Sequence, residues 1–203
     1  MKLNWLQMIG MTVSIIVLSG CSHKISLAPP LNELQDAKVK NKINVNVGYY
    51  ISSSMENIEV TTPGGGGDKV KYTPYKDTEA ALNTMLSKKF KRVYSLKSLE
   101  DKNYINEKNI MYIFTTNIYT DSSSTNFLIW PPTDFTIELT CNAVDINRNS
   151  IWTEKVSTNG HANAGELMKN FSLSAERATK DAFFKMLEKL EETNVFNNGG
   201  NLK

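Results

Sequence analysis

Hydrophobic and polar residues alternate with a period of two in three segments of the chain, a pattern typical of half-buried β-strands. These segments are residues 43–51, 135–146 and 151–158. A fourth segment, residues 110–119, is rich in β-branched and aromatic residues and is also predicted to be a strand. The polar run of Asn147, Arg148 and Asn149 between two of the strands favours a hairpin turn.

Two other segments repeat hydrophobic residues every three or four positions, which indicates amphipathic helices. The first helix is predicted to be capped by Asp77 or Thr78 and to run to about residue 93. Lysine and arginine residues within positions 88–92 are interpreted as a solvated helix end rather than a binding patch, because cations there favour the helix dipole. The second helix is predicted over residues 174–192.

The predicted order of elements is a strand, a helix, further strands, a long hairpin and a terminal helix. Each helix has an apolar stripe that has to be buried, and one face of a sheet would bury both stripes. The sequence therefore predicts an α+β fold, in which a mainly antiparallel sheet carries two amphipathic helices packed on one face.

The N-terminal segment has the layout of a secretory signal peptide. Lys2 provides a positive charge, an apolar stretch follows, and the small residues before Cys21 resemble a cleavage site. The apolar stretch is shorter than the roughly 20 residues of a stable membrane span. The string Leu-Ser-Gly-Cys ending at Cys21 resembles a bacterial lipobox. This resemblance implies cleavage before Cys21 and acylation of its thiol and its new amine; an uncleaved anchor with a chance cysteine is the alternative.

Ser22 follows the cysteine that the lipobox would acylate. In lipoproteins of the enterobacterial type, an aspartate at this position favours retention at the inner membrane. By this resemblance, the serine implies transport to the outer membrane, with the domain in the periplasm.

Four regions follow from these boundaries. Residues 1–20 are predicted to be a removed signal peptide, residues 21–41 a lipidated tether, residues 42–193 a single periplasmic domain, and residues 194–203 a flexible tail. The tether is inferred from Pro29-Pro30 and from mixed charges without sustained periodicity, although a short helix within residues 31–39 is an alternative.

The composition narrows the class of protein. A chain of 203 residues with 40% hydrophobic residues can form one domain with a core, and a net charge of +2 gives no bias toward nucleic acid. Two cysteines cannot form a disulfide-dense scaffold. If Cys21 is lipidated, Cys141 is the only remaining thiol, and it is predicted to be buried and inert within its strand.

The sequence contains no motif that supports catalysis. The glycine run before Asp68-Lys69 lacks the Gly-Lys-Ser/Thr ending of a phosphate-binding loop. His161 is the candidate base of a hydrolase, but no Gly-x-Ser-x-Gly elbow accompanies it. Histidine, cysteine and carboxylate spacings fit neither zinc nor calcium. The sequence therefore predicts no enzymatic activity, no cofactor and no metal.

Two loop segments have an unusual composition. Residues 62–77 combine glycines, prolines and tyrosines, and residues 121–135 place an apolar run beside two prolines. The aromatic residues could anchor a partner or stack on a sugar ring. The favoured alternative is structural, with prolines protecting a sheet edge and aromatics filling the margin of the core. The candidate contact residues are Gly64, Gly65, Gly66, Gly67, Tyr72, Tyr75, Trp130, Pro131 and Pro132.

Several strings give the chain a family resemblance. They are the lipobox at residues 18–21, VGYYI at 47–51, GGGGDKV at 64–70, Tyr72 with Pro74-Tyr75 and Asp77, WPPT at 130–133, and LTCN at 139–142. On these strings the chain resembles a family of uncharacterised proteobacterial lipoproteins. In its order of elements it is similar to YajG-type lipoproteins and to lipoprotein activators of penicillin-binding proteins. No functional residue transfers through that similarity.

The predicted function is that of a membrane-anchored periplasmic lipoprotein, attached through Cys21, that binds or scaffolds an envelope protein. One alternative is an accessory or activator subunit of a machine for peptidoglycan synthesis or transport. Others are a structural lipoprotein that coats the membrane and a small envelope hydrolase that uses His161.

Overall fold

The computed structural model describes residues 21–197; the predicted signal peptide and residues 198–203 of the predicted tail lie outside this range. In chain order, the strands are β1 (Ser22–Lys24), β2 (Ile43–Tyr50), β3 (Val60–Pro63), β4 (Lys69–Tyr72), β5 (Phe90–Leu96), β6 (Ile110–Ser123), β7 (Asp134–Asp145) and β8 (Ser150–His161). The helices are α1 (Leu31–Asp36), α2 (Ser53–Glu56), α3 (Pro74–Lys89), α4 (Lys102–Glu107), α5 (Ala164–Leu167) and α6 (Leu173–Glu192).

The strands form two sheets. The larger sheet has the order β5-β2-β6-β7-β8, and the smaller has the order β1-β4-β3. In the larger sheet β2 runs parallel to both β5 and β6, whereas β6, β7 and β8 are antiparallel. The α+β prediction is confirmed, with a sheet that is mixed rather than mainly antiparallel.

The two long helices pack on one face of the larger sheet, and their buried side chains share one core with the strands. α6 approaches β8 so closely at Gly160 that an added Cβ would lie 2.1 Å from the Ser174 carbonyl oxygen. Nearby, the Thr158 hydroxyl donates to the Ala178 carbonyl oxygen at 2.7 Å. The small residue on the strand therefore sets how near the helix lies.

The first long helix differs from its prediction at both ends. Thr73 is the N-cap and Pro74 occupies the first turn, so the helix begins before Asp77. At its other end, Phe90 has extended backbone angles and starts β5, which was predicted to be helical. The spacing of Phe90 and Val93 fits helix continuation, but pairing with β2 satisfies the backbone as a strand.

The basic end of α3 is only partly solvated, which corrects the sequence interpretation. The Lys89 side chain is 5% exposed, and its ammonium lies 2.7 Å from the Glu191 carboxylate. Burial alone would raise the pKa of Glu191, but hydrogen bonds from Lys89 and from the Lys40 backbone outweigh it and lower that pKa. The pair joins the ends of both long helices.

The predicted tether is part of the folded domain, so that prediction was wrong. β1 pairs in parallel with β4, and Ile25, Leu27 and Leu34 are all at most 3% exposed. At the other end, Phe196 is fully buried among aromatic rings, although it was assigned to the flexible tail. These apolar residues follow no regular period, because they fill gaps between other elements rather than one face of a helix or strand.

Candidate functional site

The glycine run and Trp130, which the sequence singled out separately, lie together in the structure. The Gly65 N–H donates to the Trp130 carbonyl oxygen at 2.9 Å, and the Gly64 N–H donates to the Asp68 carbonyl oxygen at 2.8 Å. The turn between β3 and β4 is thus packed against the long loop between β6 and β7. Two of the predicted contact segments form one surface.

The glycines have a structural role in this contact. A Cβ on Gly65 would lie 1.9 Å from the Ile129 carbonyl oxygen, so a larger residue would separate the two loops. Gly67 has a φ of +87° and nothing near its Cβ position, which is the requirement of a tight turn. Close packing and turn geometry together explain why glycine stands here, and no phosphate ligand is needed for that explanation.

Cys21 lies at the edge of this surface. Its backbone N–H donates to Asp68 Oδ1 at 2.8 Å, and its carbonyl oxygen accepts from the Lys69 N–H at 2.9 Å. The other carboxylate oxygen of Asp68 lies 3.0 Å from His23 Nε2. Asp68, in the turn that the glycines form, therefore fixes the residue of the predicted lipid attachment.

An aromatic stack extends the surface from Cys21 toward α6. The His23 ring stacks on Trp130 with a centroid distance of 4.2 Å, and Trp130 contacts Phe171 at 4.9 Å. Trp130 is half-buried and packs against the main core. This agrees with the structural interpretation of Trp130, since much of its ring fills the margin of the core.

Beside this stack, large apolar side chains are exposed around an open cavity of about 480 Å³. Phe127 is 78% exposed, Leu128 80%, Met168 67% and Phe171 45%. Asp68 lines the same cavity, which connects it to Cys21. We call this surface the Cys21 face and define it as Cys21, His23, Asp68, Phe127, Leu128, Trp130, Met168 and Phe171.

Sequence reasoning missed three members of this face: His23, Met168 and Phe171. His23 was assigned to the tether, and the two apolar residues stand in a polar stretch between β8 and α6. The available signal was Phe171, a large apolar residue between the polar residues Asn170 and Ser172; Met168 follows the buried Leu167 and gave no such signal. Only the fold shows that Met168 and Phe171 meet the exposed run at 127–128.

The remaining predicted contact residues are buried. Tyr72 is 1% exposed, and its hydroxyl donates to Thr120 Oγ1 at 2.8 Å. The Tyr75 hydroxyl lies near β6, where it accepts from the Ile118 N–H at 3.3 Å. Pro131 and Pro132 are also buried. The prediction of an exposed contact was therefore wrong for Tyr72, Tyr75 and Pro132, while Pro131 borders the cavity of the Cys21 face.

His161, the candidate base, forms a pair with a carboxylate across two strands. Its Nδ1 lies 2.9 Å from Asp134 Oδ1, and its side chain is 62% exposed. Burial would raise the pKa of Asp134, but hydrogen bonds from His161 and Thr133 lower it overall. Within residues 21–197, no Ser, Thr or Cys side chain forms a hydrogen bond with the other ring nitrogen, Nε2.

Cys141 is fully buried in β7, as predicted. Burial raises the pKa of its thiol to about 12, so the thiol is protonated at neutral pH. Across residues 21–197, no group of three or more His, Cys, Asp or Glu side chains is arranged to hold a metal ion. In the same part of the chain, no helix has both the length and the apolar character to cross a membrane.

Comparison with known proteins gives no family assignment: no family model and no curated protein matches the chain. Among solved structures, a DUF330 protein of Xanthomonas campestris has a TM-score of 0.42 at 10% identity, covering 90% of this chain and 98% of its own. A Caulobacter crescentus protein, provisionally named a lipoprotein, has a TM-score of 0.28 at 12% identity, covering 40% and 65%. The dodecameric PelC of Paraburkholderia phytofirmans has a TM-score of 0.41 at 12% identity, covering 77% and 96%.

At TM-scores below 0.5 and identities of 12% or less, these likenesses assign neither a family nor a function to the chain.

Proposed function

We propose that this protein is a lipoprotein of the bacterial envelope, anchored through Cys21 to the periplasmic side of the outer membrane, whose domain binds or scaffolds a protein partner without catalysis. The lipobox that ends at Cys21 carries the proposal, and Ser22 supports the outer-membrane location. The structure is compatible with processing, because cleavage before Cys21 would leave every described strand and helix intact.

The contacts of Cys21 also fit acylation. Its thiol belongs to an exposed residue, as attachment of a diacylglyceryl group requires. Its backbone nitrogen would become an N-acyl amide, which still carries one N–H. The hydrogen bond to Asp68 can therefore persist after processing.

The anchor is tested by Cys21→Ser in the native host, followed by palmitate labelling and measurement of intact mass. The wild-type protein is expected to be labelled and to begin at residue 21, whereas the variant should remain an unlabelled precursor. Cys141→Ser is the matched control, since that thiol is buried within β7. Labelling that persists in the Cys21 variant would contradict the proposal.

For the protein partner, the uncovered face of β6–β8 is the surface to examine. The long helices cover the opposite face, and Tyr119 is a large aromatic residue on β6 that is 63% exposed. A photo-cross-linking amino acid at Tyr119 in intact cells is expected to capture one defined protein. The same group at Ile146, which is 56% exposed, is the control for nonspecific capture. Identical products at both sites would favour a structural coat protein.

A small hydrolase remains the second candidate because His161 and Asp134 are paired. His161→Ala separates the two functions. Under the binding proposal, the variant retains the Tyr119 cross-link, and neither protein hydrolyses a panel of cell-wall and ester substrates. Turnover by the wild-type protein that is lost in the variant would establish the hydrolase instead.

A further inference from the structure

We infer that the Cys21 face docks directly on the lipid surface, with Phe127, Leu128, Met168 and Phe171 inserted at the membrane interface beside the acyl chains of Cys21. This inference rests on the proposed lipidation and deepens it. It assigns a lipid partner to a surface for which contact with a partner was only one of the interpretations that the sequence allowed.

Exposed apolar side chains are concentrated on the Cys21 face. Of the eight large hydrophobic residues that are exposed within residues 21–197, four belong to the Cys21 face. Single exposed hydrophobic residues are ordinary on protein surfaces, but a contiguous apolar patch marks an interaction surface. The four side chains come from two separate loops, so the patch is a product of the fold.

The position of Cys21 identifies what covers the patch. β1 begins at Ser22, the residue after Cys21, and therefore no flexible spacer separates the anchor from the domain. Acyl chains on Cys21 would enter the bilayer at the edge of the patch, because Asp68 both bonds to Cys21 and lines the apolar cavity. Whichever face carries Cys21 has to lie at the lipid surface.

The attachment is also rigid. The Ile25 N–H donates to the Lys71 carbonyl oxygen at 3.0 Å, and the Ser26 N–H donates to Ser172 Oγ at 3.0 Å. The first bond extends the strand pairing, and the second ties the segment to the residue after Phe171. The anchor residue and the apolar patch consequently keep one relative position, which a long tether would not impose.

The charge around the patch suits phospholipid head groups. Lys69 follows Asp68 and Lys169 follows Met168, and both lysines are exposed. Apolar side chains flanked by lysines are typical of surfaces that lie in the membrane interface, where anionic lipids attract the basic groups.

The test uses the full-length lipidated protein, purified and reconstituted in phosphatidylethanolamine–phosphatidylglycerol vesicles. An environment-sensitive fluorophore is attached at Leu128→Cys, at Met168→Cys or, as the matched control, at Ile146→Cys. Cys141 is fully buried, so labelling is confined to the introduced cysteine. Ile146 is an exposed apolar residue at the opposite end of β7, after Asp145. Vesicles with nitroxide-labelled acyl chains act as the quencher.

We expect labels at 128 and 168 to shift to the blue and to lose most of their fluorescence to the lipid quencher, while the label at 146 is unaffected. A lipidated protein whose 128 and 168 labels stay in water would overturn the docking and leave the anchor standing. Absence of lipid on Cys21, measured by intact mass, would overturn the proposed function as well. Shielding that depends on protein density and not on the lipid quencher would indicate a second copy and contradict lipid docking.

Discussion

The two ends of the antiparallel strands β6–β8 differ in how completely their polar groups are hydrogen-bonded and their apolar side chains are buried. At one end, the β7–β8 turn is closed by Asp145, whose carboxylate accepts from the Asn147 and Asn149 backbone N–H groups at 2.8 and 2.9 Å. Arg148 takes a positive φ of 71° and forms an ion pair with Glu100. At the other end, the Cys21 face leaves four large apolar side chains in solvent.

β7 separates these ends by 12 residues, or about 40 Å. Hydrogen bonds within the protein stabilise the β7–β8 turn, whereas the large apolar side chains of the Cys21 face have no apolar neighbours on their solvent side. The end that carries the predicted anchor is also the end with the unsatisfied apolar surface.

Removal of residues 22–41 should have the largest effect, because it takes away one side of the Cys21 face and part of the core. Ile25, Leu27 and Leu34 are buried, and loss of each of these side chains is expected to lower the free energy of unfolding by about 2–5 kcal/mol. Circular dichroism and urea unfolding should show no cooperative transition for the deletion. Leu27→Ala should lower the free energy of unfolding by about 3 kcal/mol, and Lys24→Ala serves as an exposed control. A deletion variant that unfolds cooperatively would restore the tether interpretation.

The next effect concerns the contact between the glycine turn and the long loop. Gly65→Ala should destabilise the protein by about 3 kcal/mol, because its Cβ would overlap the Ile129 carbonyl oxygen. Gly67→Ala is the matched control. Its added Cβ meets no neighbour, so only the strain of a positive φ should lower the free energy of unfolding, by about 1 kcal/mol. Thermal and chemical unfolding measure both values. Equal losses in the two variants would mean that the loops are not packed as described.

Trp130→Ala should lower the free energy of unfolding by about 2 kcal/mol, less than a fully buried aromatic residue would. The reason is that Trp130 is half-buried between His23, Phe171 and the core. Ile146→Ala at the opposite end should change stability by about 0.5 kcal/mol or less. Urea unfolding of both variants measures the contrast, and a negligible effect of Trp130→Ala would show that the stack does not hold the face together.

The smallest effect is expected at the polar end. Asp145→Ala should lower the free energy of unfolding by about 1 kcal/mol, because the hydrogen bonds of the turn are lost. The pKa of Asp145 is lowered by hydrogen bonds from the Asn149 side chain and from the Asn149 and Asn147 backbones, which outweigh burial. A lowered pKa stabilises the folded state above the unfolded value of about 3.9, and this contribution is lost as the pH falls through the folded value.

The stability difference between wild type and Asp145→Ala should therefore be constant near neutral pH and shrink below about pH 4. Unfolding in urea at several pH values measures this trend. A difference that is independent of pH would show that the carboxylate charge does not contribute to the turn.

Much of the fold was predictable from local pattern. The alternation at residues 135–146 and 151–158 gave two strands, and the polar residues between them gave the hairpin turn, which the structure confirms. The terminal helix was predicted within one residue of its observed start. β1, β3, β4 and β5 were missed, since short strands and a strand directly after a helix carry no clear period of their own.

The site was predictable only in parts. The glycine run and Trp130 were identified by composition, but their contact depends on two loops that are far apart in the sequence. Tyr72 had the same composition signal as an exposed aromatic residue, yet the small sheet buries it against β6. Composition identifies unusual residues but does not determine which side of a loop faces solvent.

The sequence alone determined the features that depend on neighbouring residues: the string ending at Cys21 that resembles a lipobox, the strand periodicity, the hairpin and the amphipathic terminal helix. The tertiary structure alone decided that β1 joins a sheet, that Asp68 holds Cys21, and that Phe127, Leu128, Met168 and Phe171 meet beside it. The physical reason is that periodicity and turn chemistry act over a few residues. Exposure of an apolar patch, in contrast, depends on which distant segments the chain brings together and which side chains they leave uncovered.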